Sequence, residues 1–169
     1  VTEVTKRVRP IELRWYLASA HYRSNLEFSD GSLHESAVAF QRIENFVMRA
    51  HSIVGEVDLK STPMCADFEI AMNEDLNVPA ALAALHEVVG EGNTLLANKA
   101  KATEIKGALA SVRKMLDILG VDPLAETWNQ SGKNTENLET ALDYFVQQAI
   151  AVRTAAKENK SFEAADAIR

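Results

Sequence analysis

The side chains of this chain best suited to chemistry are its cations. Lys6, Arg7 and Arg9 crowd the N-terminal segment, Arg14 and Arg23 follow, and Arg153, Lys157 and Lys160 stand near the other end. Lys and Arg meet the phosphate oxygens of nucleic acids, contacts that position a polynucleotide without reading its sequence. Residues 1–23 set five of these cations against Glu3 and Glu12, a surplus of three, although the whole chain carries a net charge of −6. The remainder therefore holds nine net negative charges. A small basic end on an acidic body is compatible with a phosphate-binding edge, and also with an ordinary solvated face, since exposed Lys and Arg are common. Arg14 has a further reading, as the partner of a carboxylate within the fold.

Other chemistry is sparse. His21, His34, His51 and His86 are far apart and form neither a His-Glu-x-x-His nor a carboxylate-x-x-His pattern, so surface or supporting positions suit them better than metal ligation. Cys65 is the single cysteine, which excludes an internal disulfide framework and a zinc site of several thiolates. A small buried hydrophobe is its expected role. Glu74-Asp75 could coordinate a cation, but carboxylates leading into a helix, where the dipole favours them, are the simpler reading. The 7 glycines are not spaced as a phosphate loop requires. The residues alone describe a non-catalytic module.

The elements that position these residues read as helices. Of the 169 residues 47% are hydrophobic and 25% charged, average for a soluble globular protein, and no apolar run approaches the roughly 20 residues of a membrane span. Residues 1–7 lack the apolar stretch and cleavage site of a signal peptide, and the expected setting is the reducing cytoplasm. Only 7% of residues are aromatic, and Gly and Pro are few, which disfavours sandwiches and barrels. Pro10 begins a first helix with Leu13, Tyr16, Leu17 and Ala20 on one face. Ser32 and Glu35 have capping-box spacing before the stripe Leu33, Ala37, Phe40, Ile43, Val47, Ala50 and Val54, and Gly55 supplies the stop. Thr62-Pro63 opens a shorter helix through Phe68, Ala71 and Met72.

After a break at 73–77, a helix from Pro79 presents Leu82, Leu85, Val89 and Leu96, with Gly90 and Gly92 marking a kink or a close helix contact. Ile105 to Leu119 form another, ended by Gly120 and Pro123. Residues 126–136 read as a loop, flexible at 129–135. Leu138, Leu142, Phe145, Ala149, Val152 and Ala156 make a long final helix, and Ser161 caps a last one. The expected architecture is an all-α antiparallel helix bundle spanning 10–169, with 1–9 as a connecting segment.

Three stretches together resemble one family. Pro10-Ile11-Glu12-Leu13-Arg14-Trp15-Tyr16-Leu17, with His21-Tyr22-Arg23-Ser24 and Leu26-Glu27-Phe28 behind it, resembles the opening of the helical domain of cysteinyl-tRNA synthetases. Phe68-Glu69-Ile70-Ala71-Met72-Asn73-Glu74-Asp75-Leu76-Asn77-Val78-Pro79 resembles that family's F-x-x-A-M-D-D-D-F-N-T-P. Arg153, Ala155, Lys160, Phe162, Ala165-Asp166 and Ile168-Arg169 resemble its R-x-x-A-R-x-x-K-D-F-x-x-A-D-x-I-R. Asn73-Glu74 stands where the family has two aspartates, Asn25 where it has proline, and Val78 where it has threonine, which leaves Asn77 to cap the following helix.

The resemblance implies the DALR-like, anticodon-binding helical domain of a class I aminoacyl-tRNA synthetase. It implies a catalytic domain with ATP and zinc before Val1, a small anticodon-reading domain after Arg169, and tRNA(Cys) as partner. No cofactor is expected within the chain itself, and no membrane. Within the family's pattern, Lys6, Arg7 and Arg9 fall where the inner corner of the tRNA is touched, and Arg153, Lys157 and Lys160 near the anticodon stem. Two other readings stand beside it: the helical domain of the related cysteine ligase of mycothiol synthesis, and a purely structural interaction domain.

Overall fold

The computed structural model describes residues 4–129 and, beyond them, 143, 144, 146, 147, 150–152 and 154. A single 3-10 turn, Val4–Lys6, leads into α1 (Pro10–Ala18), α2 (Asp30–Val54), α3 (Ala66–Asn73), α4 (Val78–Ala97), α5 (Ala102–Leu119) and the short α6 (Glu126–Asn129). The described residues contain no strand. The chain divides into two compact units, Val1–Trp128 and Asn129–Arg169.

In the first unit α2 is the central element, packed against α1, α4 and α5, while α3 and α5 both pack on α4. Its stripe is the expected one: Phe40, Ile43, Val47 and Ala50 have no exposed surface. They meet Trp15, Phe68, Leu85, Leu109, Val112 and Leu116 in one core, which supplies the hydrophobic driving force. A second, smaller cluster joins Leu13, Tyr16 and Leu33, with Val4 and Val8 packed on it.

α1 serves both clusters, and this changes its expected face. Ile11 and Trp15 enter the main core, Leu13 and Tyr16 the second, and Leu17 is left 55% exposed. The helix also stops at Ala18, before Ala20: the Ser19 hydroxyl donates to the Tyr16 carbonyl at 2.8 Å while its N–H closes on Trp15, a local competition typical of Ser at helix ends.

The start of α2 lies one turn earlier than the Ser32–Glu35 spacing implies. Ser29 is the cap; its Oγ accepts from the Ser32 N–H at 3.0 Å, and Ser32 Oγ accepts from the Ser29 N–H at 3.1 Å. Serine at the third helical position returns the bond that Glu35 was expected to make. Similarly α3 begins at Ala66, not at Thr62-Pro63. The preceding residues are held by Asp58, which accepts from Lys60 N–H at 2.9 Å and, through its carbonyl, from the Thr62 hydroxyl at 2.7 Å, while the Thr62 carbonyl accepts from Lys114. Cys65, placed at the cap of α3, is only partly buried.

Asn77 caps α4 as expected, its side chain accepting from Ala80 N–H. Of the two glycines in α4, Gly92 has the steric reason: a Cβ there would lie 2.4 Å from the Phe46 ring. A Cβ at Gly90 would meet nothing within 4 Å. Gly120 ends α5 in the left-handed conformation, φ 69°, that glycine adopts without a Cβ penalty. Beyond it, 126–129 form a helical turn in place of the expected loop, with Trp128 Nε1 donating to the Gly120 carbonyl at 3.3 Å. The rest of the loop expected at 126–136, with nearly all of its flexible part at 129–135, most of the long helix and the Ser161-capped helix lie outside the described residues. Those described from 143 to 154 are helical, and Val152 of the expected stripe is exposed.

Candidate nucleic-acid interface

Two of the N-terminal cations, Arg7 and Arg9, are held by carboxylates of the first two helices. Arg7 donates through one nitrogen to both oxygens of Asp30, at 2.7 and 2.9 Å, in an exposed pair at the start of α2. Arg9 is held more completely. Its guanidinium donates to Glu12 at 2.9 and 3.1 Å and to Glu44 at 2.6 and 2.9 Å, and its backbone N–H donates to the other Glu12 oxygen at 2.9 Å. Gln41 adds an amide bond to Glu12 at 3.0 Å. The fork geometry of Arg suits this two-carboxylate arrangement, which ties the connecting segment to α1 and α2 at once.

The electrostatics follow from that geometry. The Glu44 carboxylate raises the Arg9 pKa above its already high ordinary value, against the cost of partial burial and with the help of Glu12. Burial pushes Glu12 up, but the Gln41 amide, the Arg9 backbone and the Arg9 guanidinium outweigh it and hold the carboxyl below its usual range. The site is thus fixed in its charged form.

Arg14 pairs with no carboxylate among the described residues. It crosses to the far end of α5, where Nε donates to the Leu119 carbonyl at 3.2 Å and the guanidinium lies over Gly120. A cation at the negative end of a helix dipole is favourable, and a Cβ at Gly120 would come within 2.5 Å of it.

Arg23 belongs to a third group. Asp75, left-handed at φ 52° and followed by Leu76 at φ 53°, accepts from the Tyr22 hydroxyl at 2.7 Å and pairs with Arg23 at 3.1 Å. His21 stacks on the Tyr22 ring at 4.9 Å and Arg23 lies 5.2 Å from its centroid. Asp75 is therefore the hub of a surface cluster; among the described residues no group of His, Cys, Asp and Glu is arranged to hold a metal ion. The loop carrying Tyr22 is anchored at its other end by Tyr16, whose hydroxyl donates to the Glu27 carbonyl at 2.7 Å.

Lys6 is the last residue of the 3-10 turn, which the Arg7 N–H closes on the Val4 carbonyl at 2.9 Å, and Arg153, Lys157 and Lys160 lie outside the described residues. The structure brings Arg7 and Arg9 to the α1–α2 side, Arg14 to the end of α5, and Arg23 to the α3–α4 turn. Sequence reasoning missed Glu44, Asp30 and Asp75 as their partners. The spacing of Arg9 and Glu12 was a readable signal; the other pairs join residues 23 to 52 positions apart, and no local pattern shows them.

The described residues include no helix long and apolar enough to cross a membrane. A family model described as the DALR domain matches residues 67–124, which cover α3, α4 and α5. The whole chain is 46% identical over 171 residues to a cysteine–tRNA ligase of a Nocardioides species. It is 43% identical over 169 residues to the cysteine–tRNA ligases of Streptomyces griseus and Streptomyces avermitilis. All of this chain is covered in each case, and it spans 36% of the length of each of these relatives. By this similarity along its full length, the chain belongs to the cysteine–tRNA ligase family, as a segment that carries the DALR domain.

Proposed function

We propose that this chain is the tRNA-docking and spacer domain of a cytoplasmic cysteine–tRNA ligase, and that it makes and breaks no bonds itself. The observation that carries the reading is the 46% identity that runs through the entire chain. In this reading the remainder of the ligase supplies the ATP and zinc chemistry that joins cysteine to tRNA(Cys), and this domain holds the catalytic body at a fixed distance from the anticodon end.

The chain's own residues fit such a role in two ways. The Arg9–Glu12–Glu44 clamp and the Tyr22–Asp75 bond fix the segments flanking α1 to the bundle, as a rigid spacer needs. Lys6 and Arg7 are the N-terminal cations offered to the tRNA backbone, Arg7 being exposed on both sides of its ion pair. Arg9 and Arg14 position elements and contribute little free charge, Arg23 is shared with Asp75, and Arg153, Lys157 and Lys160 keep their anticodon-stem role from the family pattern. The purely structural reading draws on the same observation, that Arg7, Arg9, Arg14 and Arg23 all have partners within the fold.

Protection of lysines from an amine-acylating reagent in the intact ligase separates the two. The docking reading expects tRNA(Cys) to protect one or more lysines of this chain. Protection confined to the rest of the ligase would leave only the structural role.

A further inference from the structure

Arg7, Arg9, Arg23 and Arg113 face carboxylates, and Arg14 and Lys114 face backbone carbonyls. The other cations with described side chains, Arg42, Arg49, Lys60, Lys99, Lys101 and Lys106, have no ion pair among the described residues. Three of these gather at one place. Lys99 and Lys101 lie in the four-residue link between α4 and α5, and Lys106 lies in the second turn of α5, all exposed.

We propose that this hairpin tip is a contact for the sugar-phosphate backbone of RNA. The link is tightly built: Lys99 takes a left-handed φ of 51°, its N–H donates to the Leu96 carbonyl, and the Ala100 N–H donates to the Leu95 carbonyl at 3.0 Å. The one carboxylate between 98 and 106, that of Glu104, turns back to accept from the Lys101 backbone N–H at 3.0 Å, where it caps α5. Ile105 is buried, so the tip presents polar and cationic groups. The stretch around Arg42 and Arg49 differs, since Met48 and Ile53 are exposed beside it.

Three like charges set against the single carboxylate of Glu104 leave a local positive surplus, and a polyanion relieves the repulsion within it. An ammonium on a flexible stem with no internal partner meets a phosphate without first breaking a bond, whereas Arg9 would have to leave two carboxylates. On a chain of net charge −6, a local trio of lysines with no ion pair among the described residues is a feature complementary to RNA. The proposal rests on the tRNA-docking reading and adds a second surface to it beside Lys6 and Arg7.

The test is tRNA affinity of the intact ligase across a salt series. One variant carries Lys99→Gln, Lys101→Gln and Lys106→Gln; a charge-matched control carries Arg42→Gln, Arg49→Gln and Lys60→Gln. Each lost phosphate contact lowers the slope of log affinity against log salt by roughly 0.7–0.9, so the tip variant should flatten it by about 2 and bind at least about tenfold more weakly near 0.1 M salt. The control should change much less, and both variants should keep the wild-type thermal midpoint. Equal weakening by both variants would show a general charge effect and overturn the proposal. Wild-type affinity and slope in the tip variant would also overturn it. The docking reading survives either result as long as tRNA protects lysines elsewhere in the chain, and falls only if that protection is absent.

Discussion

Tyr22 and Asp75, 53 residues apart, are joined by a hydrogen bond of 2.7 Å in which the phenol donates to the carboxylate. The bond connects the loop after α1 to the turn between α3 and α4, so two of the segments that resemble the synthetase family meet at one point. The neutral phenol is the form that donates, and the Asp75 carboxylate accordingly pushes the Tyr22 pKa above its ordinary value, with slight desolvation in the same direction.

The sign of the resulting pH dependence is fixed. A group whose folded pKa is raised contributes stability below its unfolded pKa and loses it as pH rises through the folded value. The Tyr22–Asp75 bond should thus be intact at neutral pH and fail only in the alkaline range, above the ordinary tyrosine pKa of about 10. Titration of phenolate absorbance should show one tyrosine whose midpoint falls toward the ordinary value in Asp75→Asn. An unchanged titration in that variant would break the assignment.

The Arg9 clamp predicts the opposite limb. Glu12 is buried and held below its usual range, so its contribution is present above its unfolded pKa and is lost as pH falls through the lower, folded one. Glu12→Gln removes charge-assisted bonds to Arg9 and should cost about 1–3 kcal/mol at neutral pH. The loss should shrink in acid, where wild-type Glu12 is itself protonated. Urea unfolding at neutral and acidic pH measures both, and an equal cost at both would show that Glu12 is not ionised in the fold.

The two glycines of α4 should respond with opposite signs. Gly92→Ala forces a Cβ against Phe46, which has no exposed room to yield, and should destabilise by about 1–3 kcal/mol even after the better helix propensity of Ala. Gly90→Ala meets nothing and should stabilise by up to about 1 kcal/mol. Thermal midpoints of the two variants, side by side, check the α2–α4 packing.

Legibility in the sequence followed the range of the interaction. The stripe of α2 and the Gly120 stop depend on residues within one or two turns and were readable from spacing. The equally local Asn77 cap was read through the family resemblance, from Val78 standing in place of threonine. Leu17 was misplaced because α1 divides its apolar residues between two clusters, and a single-stripe pattern cannot express that. The cations were readable as cations but their partners were not: Glu44 lies on the next helix, Asp75 two helices on, and the Arg14 acceptor is a backbone carbonyl that no side-chain pattern encodes. The lysines of the α4–α5 tip went unnoticed for the converse reason. Charge in sequence shows neither which cations are paired nor which are left over.

Catalytic and docking roles separate in a reaction with two steps, one that needs tRNA and one that does not. The measurement is made on the intact ligase carrying Lys6→Gln and Arg7→Gln, since the exposed Arg7–Asp30 pair is worth only about 0–1 kcal/mol and the fold should survive its loss. Cysteine-dependent pyrophosphate exchange, which needs no tRNA, should stay within about twofold of wild type, a barrier change under about 0.5 kcal/mol. The salt slope of tRNA affinity should flatten by about 1–2 as up to two phosphate contacts are lost. A fall in pyrophosphate exchange matching the fall in tRNA charging would place this segment in the catalytic machinery, and wild-type values of both exchange and tRNA affinity would remove these residues from the docking surface.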